Sequence, residues 1–525
     1  MKALFSLMSL ASAAMATAAL AISSIAAAIS SMAAAIFVSS LAAAILVSSP
    51  AAAQPIVHVA NGRLQGVVET SGIISFKGIP FAQPPVGPLR FREPQPPADW
   101  TGVRKADAFG PRAMQLPIYS DMQFRSNGVS EDCLYLNVWT PSVSPKSGLP
   151  VLVYFYGGGF SAGDGSEYRY DGESMAKRGI VAVTVNYRLG IFGLLALPAL
   201  TKESPHHASG NYGLLDQHAA LEWVKKNIAS FGGDPARVTI AGESAGSMSV
   251  SAQMASPLSK GLFEGVIGES GALFGNSHLV PLSVAEQTGQ TFAGGNTLAD
   301  LRAMPADDLL TMAKSTHFPV DIDGYFLPES PTAIFAAGRQ MKVPLLAGWN
   351  SAESIVLDTS SSHFTETVRQ TYGAAADTIL QLYPPSDPAR SATALASDHF
   401  IAYSTWKWIH LALKTGGKPV YQYQYAHPRP GQNPIGAGHS WEIEYALGNL
   451  HTNTVYAWTP EDDQVSSIMQ TYFANFIKSG DPNSPDLLHW PALTPDGTPI
   501  MVIDVTPRLS TETHAARYAY WDMKY

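Results

Sequence analysis

Five residues of this 525-residue chain, Gly242-Glu243-Ser244-Ala245-Gly246, set a serine between two glycines. An apolar run, Val238-Thr239-Ile240-Ala241, precedes them, and Ser247-Met248-Ser249-Val250, a segment able to open a helix, follows. Strand, tight turn and helix in that order project a serine hydroxyl from the edge of a sheet, and the glycines leave room for the bend. Such a serine is a nucleophile for acyl transfer. A second glycine run, Tyr156-Gly157-Gly158-Gly159-Phe160, follows the apolar run Val151-Leu152-Val153-Tyr154-Phe155. Attack on an ester carbonyl builds negative charge on its oxygen, so backbone N–H donors must already point there. The expected donors are Gly158, Gly159 and Ala245. Alone, three glycines make a flexible loop; their place after a strand and upstream of the serine turn gives the other reading.

A serine nucleophile needs a histidine, and that histidine needs a carboxylate on its other nitrogen. In hydrolases whose serine sits at such a strand–turn–helix, the chain order is serine, acid, histidine. The histidines after the serine are His278, His317, His363, His399, His410, His427, His439, His451, His489 and His514. His439 ranks first, in the flexible stretch Gly436-Ala437-Gly438-His439-Ser440 beyond the predicted strand Val420 to Tyr425. His427, at the end of that strand, is its rival. Glu353 follows the predicted strand Val343 to Trp349 by a short turn, whereas Asp323 and Asp358 end no clear buried strand. On the residues alone, a solvated surface charge is an equal reading of Glu353. A histidine that must be neutral to accept a proton predicts activity rising with pH through roughly 6 to 7. Phe160, Trp349 and Trp441 neighbour these positions in sequence and are expected to shape a substrate pocket, or else to belong to the core.

The elements that must carry these residues alternate. Continuous apolar runs at 134–139, 151–156, 180–187, 238–243, 343–349 and 419–425 read as parallel strands buried on both faces. Helical patterns lie between them, notably Leu214 to Ile228, and Gly232-Gly233-Asp234-Pro235 closes that helix. The expected fold class is α/β, a mostly parallel central sheet flanked by helices. Residues 276–340 and 355–415 are more helical and irregular and read as insertions that wall the pocket. A β-rich entry follows Gln54, and an amphipathic helix is expected around Val465 to Ser479.

With 46% hydrophobic residues the chain can build a large core, and residues 54–525 are expected to form one domain. The net charge of −9 and the lack of any basic cluster argue against nucleic acid as a partner. No zinc-ligand spacing occurs, so no metal or cofactor is expected. After Lys2 no charged residue appears before Arg63. A basic start, an Ala/Ser/Ile/Leu stretch and the small residues Ala51-Ala52-Ala53 describe a secretory signal over 1–53, cleaved after Ala53. That implies a secreted or periplasmic protein with no membrane span after cleavage. A retained anchor or a later starting Met are the alternatives. The single cysteine, Cys133, sits in a strand-like run and reads as a buried, inert thiol.

Several stretches together resemble the type-B carboxylesterases, the cholinesterase-like family that includes bacterial para-nitrobenzyl esterases. They are 76–82 with 84–91, Glu131 to Trp139, Asn186 to Gly190, Gly210 to Gln217, the serine turn and Ser479 to Asn483. The resemblance runs from about residue 56 to Tyr520-Trp521-Asp522. It implies the α/β-hydrolase fold and hydrolysis of small-molecule esters without a cofactor; a monomer and a weak dimer both stay open. The family's acid turn matches Asn350 to Glu353, its histidine stretch matches His439 to Tyr445, and its oxyanion loop matches Tyr156 to Gly159. The resemblance therefore implies a triad of Ser244, Glu353 and His439. Amide, carbamate, thioester or lactone hydrolysis are alternatives on the same residues. A catalytically silent binding or adhesion protein is the rival of another class, and such proteins lose triad members. Two departures stand out. The family's usual partner for the Cys133 position is Ala113 here, so that disulfide is absent. The loop between them carries no tryptophan, the residue that holds choline in cholinesterases, so choline specificity is not expected.

Overall fold

The computed structural model describes residues 15, 18–26, 28, 54–275, 279–357, 359–432, 435–495, 499–511 and 514–525. His278, Asp358 and the expected cleavage point after Ala53 lie outside these residues. The chain divides into two compact units, Met1–Gln54 and Pro55–Tyr525. In the first, residues 18–26 are helical. Among the described residues no helix is long and apolar enough to cross a membrane.

The second unit is built on an eleven-stranded sheet. In chain order its strands are β1 (Val67–Val68), β2 (Ile74–Pro80), β3 (Tyr135–Thr140), β4 (Leu149–Phe155), β5 (Val181–Val185), β6 (Gly233–Glu243), β7 (Gly265–Glu269), β8 (Leu345–Asn350), β9 (Val420–Tyr425), β10 (Pro499–Ile503) and β11 (Arg508–Thr511). Their spatial order is β11-β10-β9-β8-β7-β6-β4-β5-β3-β2-β1. The strands from β10 through to β5 run parallel, and antiparallel pairs close both edges. In the middle, Val153 of β4 pairs with Val183 on one side and Ile240 on the other. All three are buried, as a strand covered by helices on both faces requires.

The apolar runs predicted six of these strands, the β-rich entry after Gln54 covers β1 and β2, and β7, β10 and β11 were missed. β7 reads Gly-Val-Ile-Gly-Glu, and the pattern breaks at Gly268. That glycine is forced by packing: a Cβ there would lie 2.2 Å from the Trp408 ring. β6 starts at Gly233, where a turn was expected, and reaches its regular register only after a bulge between Gly233 and Val238.

Two helices matter most for the site. α1 (Tyr212–Asn227) is anchored by the buried pair Arg188–Asp216, in which Nε and Nη2 donate to the two carboxylate oxygens at 2.8 and 2.7 Å. α2 (Ala245–Ala255) is buried on nearly every face. Its run of Ala, Ser and Gly lets it lie close against β6 and β7, so its pattern is small rather than amphipathic. α3 (Pro460–Ser479) begins five residues earlier than its apolar periodicity predicts. Thr459 caps it in a reciprocal box with Asp462, with Pro460 at the first turn.

Candidate active site

Ser244 stands between β6 and α2 with φ 55 and ψ −121. This is a sparsely populated conformation for a residue with a side chain, costing about 1–3 kcal/mol, and it persists because the surroundings fix it. The Ser244 N–H donates to the Glu269 carbonyl at 2.9 Å, and its own carbonyl accepts from Met248 N–H at 2.8 Å. The bend presses Gly246 against β4: a Cβ there would sit 2.0 Å from the Phe155 carbonyl oxygen. The glycine is dictated by that contact.

His439 Nε2 lies 2.9 Å from Ser244 Oγ, and His439 Nδ1 lies 2.6 Å from Glu353 Oε2. The other Glu353 oxygen accepts from Asn350 N–H and from the Ser270 hydroxyl, each at 2.6 Å. Glu353 is therefore a buried carboxylate with its acceptors engaged, not a surface charge. The turn carrying it and the loop carrying His439 are stitched together. Ala352 N–H donates to Ala437 O at 2.9 Å, Ala437 N–H donates to Ser351 Oγ at 3.0 Å, and Asn350 Nδ2 donates to Gly438 O at 2.7 Å.

A cavity of about 310 Å³ opens over Ser244. Gly158, Gly159 and Ala245 line it beside the serine, as does Phe160. The glycine loop is held by Tyr156, whose ring stacks on Tyr187 at 4.3 Å and whose carbonyl accepts from the Tyr187 hydroxyl at 2.6 Å. Gly157 is needed because a Cβ would meet Glu243 Oε2 at 2.5 Å. Both expected insertions reach the cavity, one through His317, Phe318 and Val320 and the other through Phe400.

Two aromatic expectations are corrected. Trp349 does not line this cavity. It packs edge-on to Tyr518 at 5.8 Å and borders a separate cavity of about 420 Å³ with Asn350. Its side chain leaves β8 toward the opposite face, as strand alternation dictates. Trp441 is not among the lining residues either. Its indole covers Gly438, where a Cβ would lie 2.7 Å from the ring.

Three neighbours escaped the sequence reading. Glu243, inside the pentapeptide itself, places Oε1 3.2 Å from His439 Nε2. Glu442, three residues after the histidine, accepts from Asn350 Nδ2 at 2.5 Å and from the Ser270 hydroxyl at 3.3 Å. Tyr119 comes from the tryptophan-free loop and lines the cavity. Burial alone would lower the pKa of His439, but Glu243, Glu353 and Glu442 around it override that and raise it. Burial pushes the Glu243 carboxyl up, with His439 opposing.

His427 lies elsewhere. Its Nε2 pairs with Asp462 at the start of α3 at 2.9 Å. His427→Gln is expected to keep kcat/KM for a p-nitrophenyl ester within about threefold of wild type, while lowering the melting temperature. Cys133 is buried, and burial, then the nearby Asp216 carboxylate, push its thiol well above the usual range. Iodoacetamide should leave the native enzyme active. Cys133→Ser should cost about 1–3 kcal/mol in urea unfolding by burying a hydroxyl, with kcat unchanged. Rapid inactivation without unfolding would place the thiol at the site.

A parallel sheet with a strained serine at a strand–helix turn, and a histidine and a carboxylate on later loops, defines an α/β-hydrolase. The profile of the Carboxylesterase family matches residues 53–521, and the chain belongs to that family. Among curated relatives it is 35% identical over 471 residues to the fumonisin B1 esterase of Sphingopyxis macrogoltabida, covering 83% of this chain and 84% of that protein. It is 36% identical over 486 residues to the para-nitrobenzyl esterase of Bacillus subtilis, covering 86% and 94%. It is 32% identical over 522 residues to the human cocaine esterase, covering 89% and 91%. The protein is a carboxylic ester hydrolase.

Proposed function

We propose that the enzyme cleaves small-molecule esters through an acyl-enzyme on Ser244. The observation that carries this is the continuous chain from Ser244 Oγ through His439 to Glu353 on the floor of the cavity. Ser244 Oγ bonds to the ester carbon while its proton passes to His439 Nε2. The carbonyl oxygen, now negative, takes hydrogen bonds from the amides of Gly158, Gly159 and Ala245. The carbon–alkoxy bond breaks as Nε2 returns the proton to the departing oxygen. Water then adds to the acyl carbon, giving a proton to His439, and the acid leaves as Ser244 recovers it. Glu353 fixes the tautomer and balances the imidazolium. Neither metal nor cofactor takes part. A screen across acyl lengths and alcohol sizes, with amides, thioesters and lactones alongside, tests the reading, and esters are expected to lead.

The natural alcohol is not expected to be choline. A cation gains about 0.5–2 kcal/mol over an aromatic face, most over tryptophan. The short loop brings Tyr119 instead. The expected kcat/KM for butyrylthiocholine stays within about tenfold of a neutral isostere at physiological ionic strength. A larger preference would reveal a working cation site.

The N-terminal stretch is proposed to be an export signal that leaves residues 54–525 as a single secreted or periplasmic domain. N-terminal sequencing of protein from the periplasm or medium should begin at Gln54. Recovery of the full-length chain in the membrane fraction would point to a retained anchor.

A further inference from the structure

Phe400 stands over the base, and its backbone explains how it got there. Residues Asp398–Ala402 form a π-helical turn in which the Tyr403 N–H reaches the Asp398 carbonyl. The wider turn adds one residue to the helix that follows, Tyr403–Gly416. Each residue of an α-helix turns the chain by about 100°, so the extra one redirects the side chains beside it. Ile401 and Ala402 go into the core, whereas Phe400 stays 48% exposed and faces the cavity over Ser244. The Ile401 carbonyl accepts from the Ser404 and Thr405 hydroxyls at 2.9 and 3.0 Å. Tyr383 donates to the buried Asp398 carboxylate at 2.7 Å and ties down the start of the turn. The turn is thus held from both ends.

The Phe400 ring meets the His439 imidazole nearly edge-on, with centroids 4.8 Å apart and planes at 67°. Its side of the cavity follows from the chemistry. His439 Nε2 must hand its proton to the alkoxy oxygen, so that oxygen comes within hydrogen-bond reach of the imidazole. The substituent on it therefore lies along the histidine side. The carbonyl oxygen points the other way, toward Gly158 and Gly159. A ring packed on the imidazole accordingly borders the alcohol moiety and not the acyl chain.

We propose that Phe400 is a specificity residue that reads the alcohol part of the ester by size. The proposal rests on the assignment of Ser244 and His439 above. Phe400 fills space that a bulky alcohol would occupy, and the braced π turn keeps it from stepping aside. The acyl-enzyme has already lost the alcohol, so the effect belongs to acylation.

The test compares wild type with Phe400→Ala, Phe400→Leu and Phe400→Trp. Active sites are counted with a fluorophosphonate, so misfolded protein drops out of every rate. One series holds the acid constant in methyl, cyclohexyl and menthyl butanoates. The other holds the alcohol constant in ethyl acetate, butanoate and hexanoate. The cyclohexyl-to-methyl ratio of kcat/KM should rise about tenfold or more in Phe400→Ala, rise less in Phe400→Leu and fall in Phe400→Trp. Ratios along the acyl series should move by less than about threefold. A flat alcohol series, or a shift confined to the acyl series, overturns the proposal while wild-type turnover leaves the hydrolase reading standing. A wild type that binds the phosphonate nowhere and cleaves neither series overturns both.

Discussion

Ser244→Ala is expected to fold normally and to lose roughly a millionfold in kcat on a short p-nitrophenyl ester. The substitution removes one oxygen from a side chain that makes its bond to His439 and leaves the turn's backbone hydrogen bonds to Glu269 and Met248 untouched. Stability should therefore stay close to wild type, and circular dichroism with a melting curve establishes that before rates are compared. Residual turnover above water is expected, because the proposed donors Gly158, Gly159 and Ala245 would still polarise a bound carbonyl and the cavity would still orient it. Near-normal kcat in the folded variant would mean that Ser244 is not the nucleophile.

His439→Gln carries the second large effect, a loss of roughly five to six orders of magnitude in kcat, because in the proposed mechanism acylation and deacylation both route a proton through Nε2. Its pH behaviour is the more telling part. The base works only when neutral, so kcat/KM falls as pH drops through its apparent pKa. The residue pattern alone places that limb at roughly 6 to 7. The structure moves it upward, because the carboxylates of Glu243, Glu353 and Glu442 favour the imidazolium more than burial disfavours it. The limb is expected above the ordinary histidine value of about 6.5, and Glu243→Gln should lower it by removing the carboxylate 3.2 Å from Nε2. His439→Gln should abolish the limb altogether. A limb below the ordinary value, unmoved by Glu243→Gln, would contradict this electrostatic picture.

How much of this was legible in the sequence depended on whether the information was local. The serine turn and the glycine loop are each encoded within about ten residues by a strand and its glycines, and their geometry follows from contacts such as Gly246 on Phe155. The acid and base are different. They are 86 residues apart in the chain, and what joins them is the stitching of Ala352, Asn350 and Ser351 to 437–438. No periodicity marks such a contact, which is why Glu353 reads equally well as a surface charge without the family resemblance. The tryptophans mark the opposite limit. Trp349 and Trp441 are neighbours of site residues in sequence, yet alternation along β8 and the fold of the histidine loop turn their rings away. Phe400 and Tyr119 are distant in sequence, and a π turn and a shortened loop bring them to the cavity. β7 was missed for a related reason: Gly268 is there to admit Trp408, a residue 140 positions later, so local propensity was overridden by packing.

A covalent acyl-enzyme on Ser244 is open to direct observation by mass spectrometry of the quenched reaction. The protein is mixed with a slow ester substrate, quenched in acid during turnover and digested. A single acyl adduct is expected on the peptide containing Ser244, formed fast enough to support the measured kcat and missing from Ser244→Ala. Turnover with Ser244 unmodified throughout, or an adduct on any other residue that forms and decays at the catalytic rate, would contradict it.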